Sequence, residues 1–114
     1  MLKNAENEIR RKVERIPLYP DEPRTIAELF KYAAEKHSRS NALNFKKDGK
    51  WQAISTAEML SRIEKIAAGL RAIGLQPGDR AAILAANSPE WTLVDAGCQF
   101  AGVVDVPIYT TLVA

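Results

Sequence analysis

The side chains able to do chemistry in this 114-residue chain are few and scattered. His37 is the only histidine, so a site built on several imidazoles is excluded. It falls near the C-terminal end of an expected helix, where a positive ring suits the dipole better than it suits general-base work. Cys98 is the only cysteine and has no CxxC partner, so it can form no internal disulfide. It lies on the packing face of an expected helix, which marks a small core residue rather than a nucleophile. Asp79-Arg80 reads as a turn or a local ion pair. Asn87-Ser88-Pro89 is the segment best placed for ligand chemistry. It joins the C-terminal end of an apolar stretch to a helix N-terminus, where open α/β sheets hold ligands and anions. Simple helix capping explains the same residues. The phosphate and nucleophile signatures G-x-x-x-x-G-K-S/T, G-x-G-x-x-G and G-x-S-x-G do not occur. The residues alone therefore assign no catalytic, cofactor-binding or metal-binding position.

The elements that would have to position such groups are legible. Residues 4–16 place Ile9, Val13 and Ile16 at helical spacing among Arg10, Arg11, Lys12 and Arg15, the pattern of a short amphipathic helix or of a frayed polar leader. Pro17, Pro20 and Pro23 make residues 16–24 an extended connector. Thr25 and Glu28 have capping-box spacing, and Ile26, Leu29, Phe30 and Ala33 form one apolar stripe on a helix running to about His37. Ala42-Leu43-Asn44-Phe45 and Trp51-Gln52-Ala53-Ile54 are strand candidates joined through Lys46 to Lys50, with Asp48-Gly49 as the hairpin signal. Ser55 with Glu58 opens the longest helix, whose apolar face holds Met59, Leu60, Ile63, Ile66, Ala67, Leu70 and Ile73 before Gly74 ends it. Gln76-Pro77-Gly78-Asp79 is a turn.

The last third reads strand, helix, strand. The run Ala81-Ala82-Ile83-Leu84-Ala85 lacks alternation, which predicts a strand covered on both faces. Ser88, Pro89 and Glu90 suit the cap and first turn of a helix that Gly102 ends. Val103 to Ile108 is the second strand, with Asp105 an odd polar residue inside it. Two apolar strands joined by such a crossover form a right-handed βαβ unit. Trp51 and Trp91 read as core or interface anchors.

Composition is that of a soluble globular domain, 46% hydrophobic and 26% charged, with room for one core. A net charge of +2 gives no ground for a nucleic-acid partner. The charge is uneven: residues 1–50 hold twelve Lys/Arg against eight Asp/Glu, and residues 51–114 hold four against six. The N-terminus has no apolar region of the secretory type, and the weakly polar stretch from Ala96 to Ile108 is shorter than the ~20 residues of a membrane span. A cytoplasmic setting is expected, with peripheral membrane contact by the basic leader left open.

Three segments in order carry a family resemblance: Thr25-Ile26-Ala27-Glu28-Leu29-Phe30, Ala68 to Arg80 with its Gly74-Leu75-Gln76-Pro77-Gly78-Asp79-Arg80 core, and Asn87-Ser88-Pro89-Glu90-Trp91. They continue into Gly102-Val103-Val104-Asp105-Val106-Pro107-Ile108-Tyr109-Thr110-Thr111. Together they resemble the N-terminal region of the AMP-binding, adenylate-forming superfamily, with the long-chain fatty acid–CoA ligases the most similar subfamily. Val113 departs from the proline expected after Thr-Thr-Leu. The resemblance implies an α/β fold seen in part, as an N-terminal subdomain with a small hairpin, a long amphipathic helix and a parallel βαβ unit. It divides the chain into a polar leader and Pro-rich connector, residues 1–24, and the partial subdomain, residues 25–114.

For the full-length relative, the resemblance implies a fatty acid, ATP, Mg²⁺ and CoA. The carboxylate attacks the α-phosphorus of ATP, and the CoA thiol then displaces AMP. The phosphate loop, the ribose and Mg²⁺ carboxylates and the mobile-domain lysine of that family match nothing in this sequence, so no site residue is carried over. The expected role is an inactive scaffold fragment. The alternative is a non-enzymatic interaction module that dimerises through an exposed sheet edge. In either case Ile83, Leu84, Val104, Val106 and Ile108 are expected to lose covering partners, at roughly 1–2 kcal/mol each, and the fragment to self-associate.

Overall fold

A computed structural model describes residues 19–111. The expected leader helix around Ile9, Val13 and Ile16, and the departure at Val113, lie outside the described residues. In chain order the elements are α1 (Ile26–Lys36), β1 (Leu43–Lys47), β2 (Lys50–Ile54), α2 (Thr56–Ala72), β3 (Arg80–Ile83), α3 (Pro89–Ala101) and β4 (Val104–Pro107). They form a mixed α/β unit in which β1 and β2 pair antiparallel and β3 and β4 pair parallel, as two separate sheets.

The connector is not extended throughout. The Glu22 N–H donates to the Tyr19 carbonyl at 3.2 Å, closing a turn with Pro20 at its second position, where the fixed φ of proline is favourable. The start of α1 follows the capping logic with one shift. The Glu28 N–H donates to Thr25 Oγ1 at 3.1 Å, but the Glu28 carboxylate accepts from the Arg24 N–H at 2.6 Å rather than from Thr25. At the start of α2 the Glu58 N–H donates to Ser55 Oγ, and the Glu58 carboxylate turns away to pair with Arg62. That second capping box is therefore half made. Thr56 ties the two helices together: its hydroxyl accepts from the Arg39 N–H, and its own N–H donates to the Arg39 carbonyl, both at 2.9 Å.

The hairpin pairs further than its alternation indicates. Register runs from Leu43 opposite Ile54 to Lys47 opposite Lys50, leaving only Asp48-Gly49 in the turn. Both turn residues have positive φ, 52° and 74°, which a two-residue loop matched to the strand twist requires.

Helix α3 is the hub. On one side Leu93 and Ala96 join Ile63 of α2, with Phe30, Leu43, Met59, Ile66 and Phe100 packed around them. On the other, Cys98 and Ala101 join Val103, with Ala67, Leu70, Leu75, Ala81 and Val94. The packing of α2 on α3 is the most extensive between any two elements. Gly97 makes it possible: a Cβ there would lie 2.4 Å from Ile66 Cγ2 and 3.0 Å from Ile66 Cβ. The two helices also end alike. Gly74 and Gly102 donate to the carbonyls of Arg71 and Gln99, and Leu75 and Val103 to those of Leu70 and Cys98. The exit residues Leu75 and Val103 thereby fold back into the core that their helices build.

Three expectations change. The stripe on α1 is rotated: Phe30 packs inward and meets Phe100 edge-to-face at 6.4 Å, and Ala34 is buried, while Ile26 and Leu29 are 53% and 52% exposed. Strand β3 is covered on one face only: Ala81 packs on the Cys98 and Ala101 cluster of α3 and Ile83 is buried, while Arg80, Ala82 and the following Leu84 are exposed. Ile83, expected to lose its cover, is thus buried, whereas Leu84, Val104, Val106 and Ile108 are exposed. Strand β4 begins at Val104, since Val103 is spent on the helix exit.

Gly97→Ala should lower stability by about 1–3 kcal/mol through overpacking. Adding Ile66→Ala should recover part of that loss, which would appear as a coupling in urea denaturation of the four forms. Additive losses would mean that the two residues do not meet.

Candidate functional site

A groove of about 980 Å³ opens between the hairpin, α2 and the first turn of α3. Phe45, Lys46, Trp51, Arg62, Ser88 and Trp91 are among its walls. It takes in the sequence-singled segment Asn87-Ser88-Pro89 and both tryptophans. Three of its polar groups are already engaged. Ser88 Oγ accepts from the Trp91 N–H at 3.2 Å and so serves as the helix cap. Arg62 pairs with Glu58. Lys46 Nζ sits 5.3 Å from the centre of the Trp51 ring. Glu90 supplies a negative charge of its own in the first turn of α3, which already complements the helix dipole there. The groove can hold a ligand against aromatic walls, but it brings no nucleophile to a base.

The remaining sequence candidates fall elsewhere. His37 is exposed at the end of α1, where its backbone N–H donates to the Ala33 carbonyl at 2.8 Å. Asp79 closes the Gln76–Asp79 turn: its carboxylate accepts from the Gln76 N–H at 2.7 Å, and Arg80 is not its partner. Trp51 is not a core anchor, being 70% exposed, and Trp91 is half-buried. Among the described residues no three His, Cys, Asp or Glu side chains come together as a metal site.

One polar cluster went unrecognised in the sequence. Asp95 on α3 lies against Asp105 on β4, and Gln99, one turn beyond Asp95, donates from Nε2 to Asp105 Oδ1 at 2.9 Å. Burial, then the hydrogen bond to Asp105 and its charge, raise the Asp95 pKa from 3.8 to about 6. Burial foremost, then the charges of Asp105 and Asp95, push the Cys98 thiol up, so it remains protonated and unreactive at neutral pH. The available signal was the spacing of Asp95 and Gln99, four apart on one helix face, with Asp105 as the polar residue of the next strand.

With this geometry in view, the likenesses to known proteins are consistent with one another. The family model described as AMP-binding enzyme matches residues 30–114. Long-chain-fatty-acid–CoA ligase ACSBG1 of Bos taurus is 34% identical over 107 residues, covering 94% of this chain and 14% of that protein. Long-chain-fatty-acid–CoA ligase FadD15 of Mycobacterium bovis is 41% identical over 64 residues, covering 56% of this chain and 11% of that protein. The crystal structure of a fatty acyl-adenylate ligase from L. pneumophila, in complex with acyl adenylate and pyrophosphate, superposes with a TM-score of 0.70 at 25% identity, over 77% of this chain and 16% of that one. The chain therefore spans a small part of the length of the relatives it matches.

The acid pair sets a pH dependence. A carboxyl raised on folding from 3.8 to about 6 favours the folded state fully below pH 3.8 and loses that contribution as pH rises through 6. Urea midpoints measured across this range should fall with rising pH relative to Asp95→Asn, which keeps a donor toward Asp105 and does not titrate. Parallel curves for the two proteins would place the titration elsewhere.

Proposed function

The chain belongs to the AMP-binding enzyme family, and from that premise we propose that it is the N-terminal scaffold segment of an ATP-dependent fatty acid–CoA ligase, inactive by itself. The observation that carries this reading is the 34% identity to a long-chain-fatty-acid–CoA ligase over 94% of the chain. In the proposed whole enzyme a fatty acid carboxylate attacks the α-phosphorus of ATP, giving an acyl-adenylate and pyrophosphate. The CoA thiol then displaces AMP. Charge develops on pyrophosphate during the first step, so that step needs converging N–H donors, a cation and Mg²⁺. The described residues fit neither the metal nor a triphosphate: they offer no carboxylate cluster for Mg²⁺, and the Ser88 hydroxyl and Arg62 are committed within the chain. No step of the reaction is therefore assigned to them. The proposal includes a cytoplasmic setting, since the single buried thiol suits a reducing compartment.

A second reading, self-association through the open sheet, is supported by β4 itself. Its polar residue Asp105 turns inward to α3, while Val104, Val106 and the following Ile108 are 51%, 42% and 40% exposed. A strand with its apolar residues outward is suited to another layer of protein, and in the isolated chain a second copy can supply it.

Acyl-CoA formation from palmitate, ATP, Mg²⁺ and CoA is expected from a longer protein containing this segment and not from the segment alone. Turnover by the segment would overturn the scaffold role, and silence of the longer protein across acyl lengths would remove the ligase reading. In sedimentation velocity the segment should run as a dimer or larger. Val104→Lys with Val106→Lys should return it to monomer, and a wild-type chain that is monomeric at high concentration would exclude the second reading.

A further inference from the structure

The distal half of the β1–β2 hairpin contributes nothing to either core. Every residue from Lys46 to Ala53 is exposed, and Trp51 is 70% exposed. Lys46, Lys47 and Lys50 stand there against a single acid, Asp48, so this short tip carries half of the excess of four positive charges in residues 1–50. The register fixes how these groups are arranged. Lys47 lies directly opposite Lys50, on the face that carries Leu43 and Ile54 inward at the other end of the ladder. Lys46 lies opposite Trp51 on the other face, with its ammonium 5.3 Å from the ring centre.

Two features of this arrangement indicate a partner. Like charges directly opposite across a ladder are unfavourable, and the Lys47–Lys50 pair therefore works against the hairpin that bears it. An external negative charge at the tip relieves that cost. In addition, the register sets Lys46 on the opposite face of the ladder from Lys47 and Lys50, and an extended anionic plane met end-on can engage all three. The exposed indole beside them is the side chain that settles at the boundary between lipid headgroups and acyl chains. We propose that the hairpin tip, Lys46 to Trp51, docks the protein on an anionic phospholipid surface. Trp51 inserts at the headgroup level, and Lys46, Lys47 and Lys50 lie over the lipid charges. The inference stands on the hairpin alone and does not require the ligase reading.

Co-sedimentation of the 114-residue chain with vesicles tests it, using equal parts phosphatidylserine and phosphatidylcholine against phosphatidylcholine alone. Binding is expected to the anionic vesicles only, to weaken with added salt, and to carry a blue shift of tryptophan emission that Trp51→Ala abolishes. Lys47→Glu should weaken binding roughly tenfold or more, since each cation near such a surface contributes several-fold in affinity. The same change places opposite charges across the last rung, so the melting temperature should hold or rise, which separates lost binding from lost folding. Equal binding to both vesicle types overturns the proposal. So does binding that survives both Lys47→Glu and Trp51→Ala, which would belong to the basic leader. Heparin binding of equal strength without a spectral shift would also overturn it, as adhesion to polyanions in general.

Discussion

The structure depends on how closely α2 and α3 approach. Gly97 removes a side chain where Ile66 lies, and that lets one helix form the floor of both apolar clusters. On one flank α3 collects the first helix and the hairpin through Phe30 and Leu43. On the other it collects the parallel pair through Ala81 and Val103. Interiors pack at crystal-like density, so a shift of one methyl group between these helices is transmitted to everything resting on them. The glycine-closed helix ends extend the same device: Leu75 and Val103 leave their helices and return to the core within two residues.

From this hub the unit is finished on one side and open on the other. Asp105 faces the helix with Gln99 and Asp95, where burial raises the Asp95 carboxyl pKa to about 6, while Val104 and Val106 face outward. For a free-standing domain that arrangement is inverted. Within a larger α/β sheet it is ordinary, because the outer face then belongs to a further layer and the buried polar contact fixes β4 against α3. The outward apolar face of β4 and the small share of its relatives' length that the chain spans are both what the proposed scaffold reading expects.

The groove between hairpin and α3 shows why resemblance to an enzyme does not by itself make a reaction centre. Its aromatic walls and helix N-terminus are shaped for a ligand, yet the hydroxyl, the guanidinium and the dipole there are already satisfied within the chain. Catalysis needs donors left over after folding and aimed at developing charge. At the hairpin tip, by contrast, Lys47 and Lys50 stand opposite each other and the Trp51 ring, although Lys46 lies over it, stays 70% exposed.

Local features were decided by sequence. Thr25, Ser55 and Ser88 cap the helices they precede, because a side-chain oxygen at that position satisfies a free N–H using neighbouring residues only. Asp48-Gly49 sets the hairpin turn by its tolerance of positive φ, and the ordered segments from Thr25 to Thr111 carried the family resemblance. Which face of an element is covered was not local. The stripe Ile26, Leu29, Phe30 and Ala33 gave a helix but not its rotation, which Phe100 settled by claiming Phe30. The run Ala81 to Ala85 gave a strand but not the bare face opposite α3. Asp95 and Asp105 are ten residues apart in the chain, and only the crossover that lays β4 beside α3 brings them together. Periodicity encodes what each residue prefers, whereas burial depends on which distant surface arrives, and that was decided by the tertiary packing around Gly97.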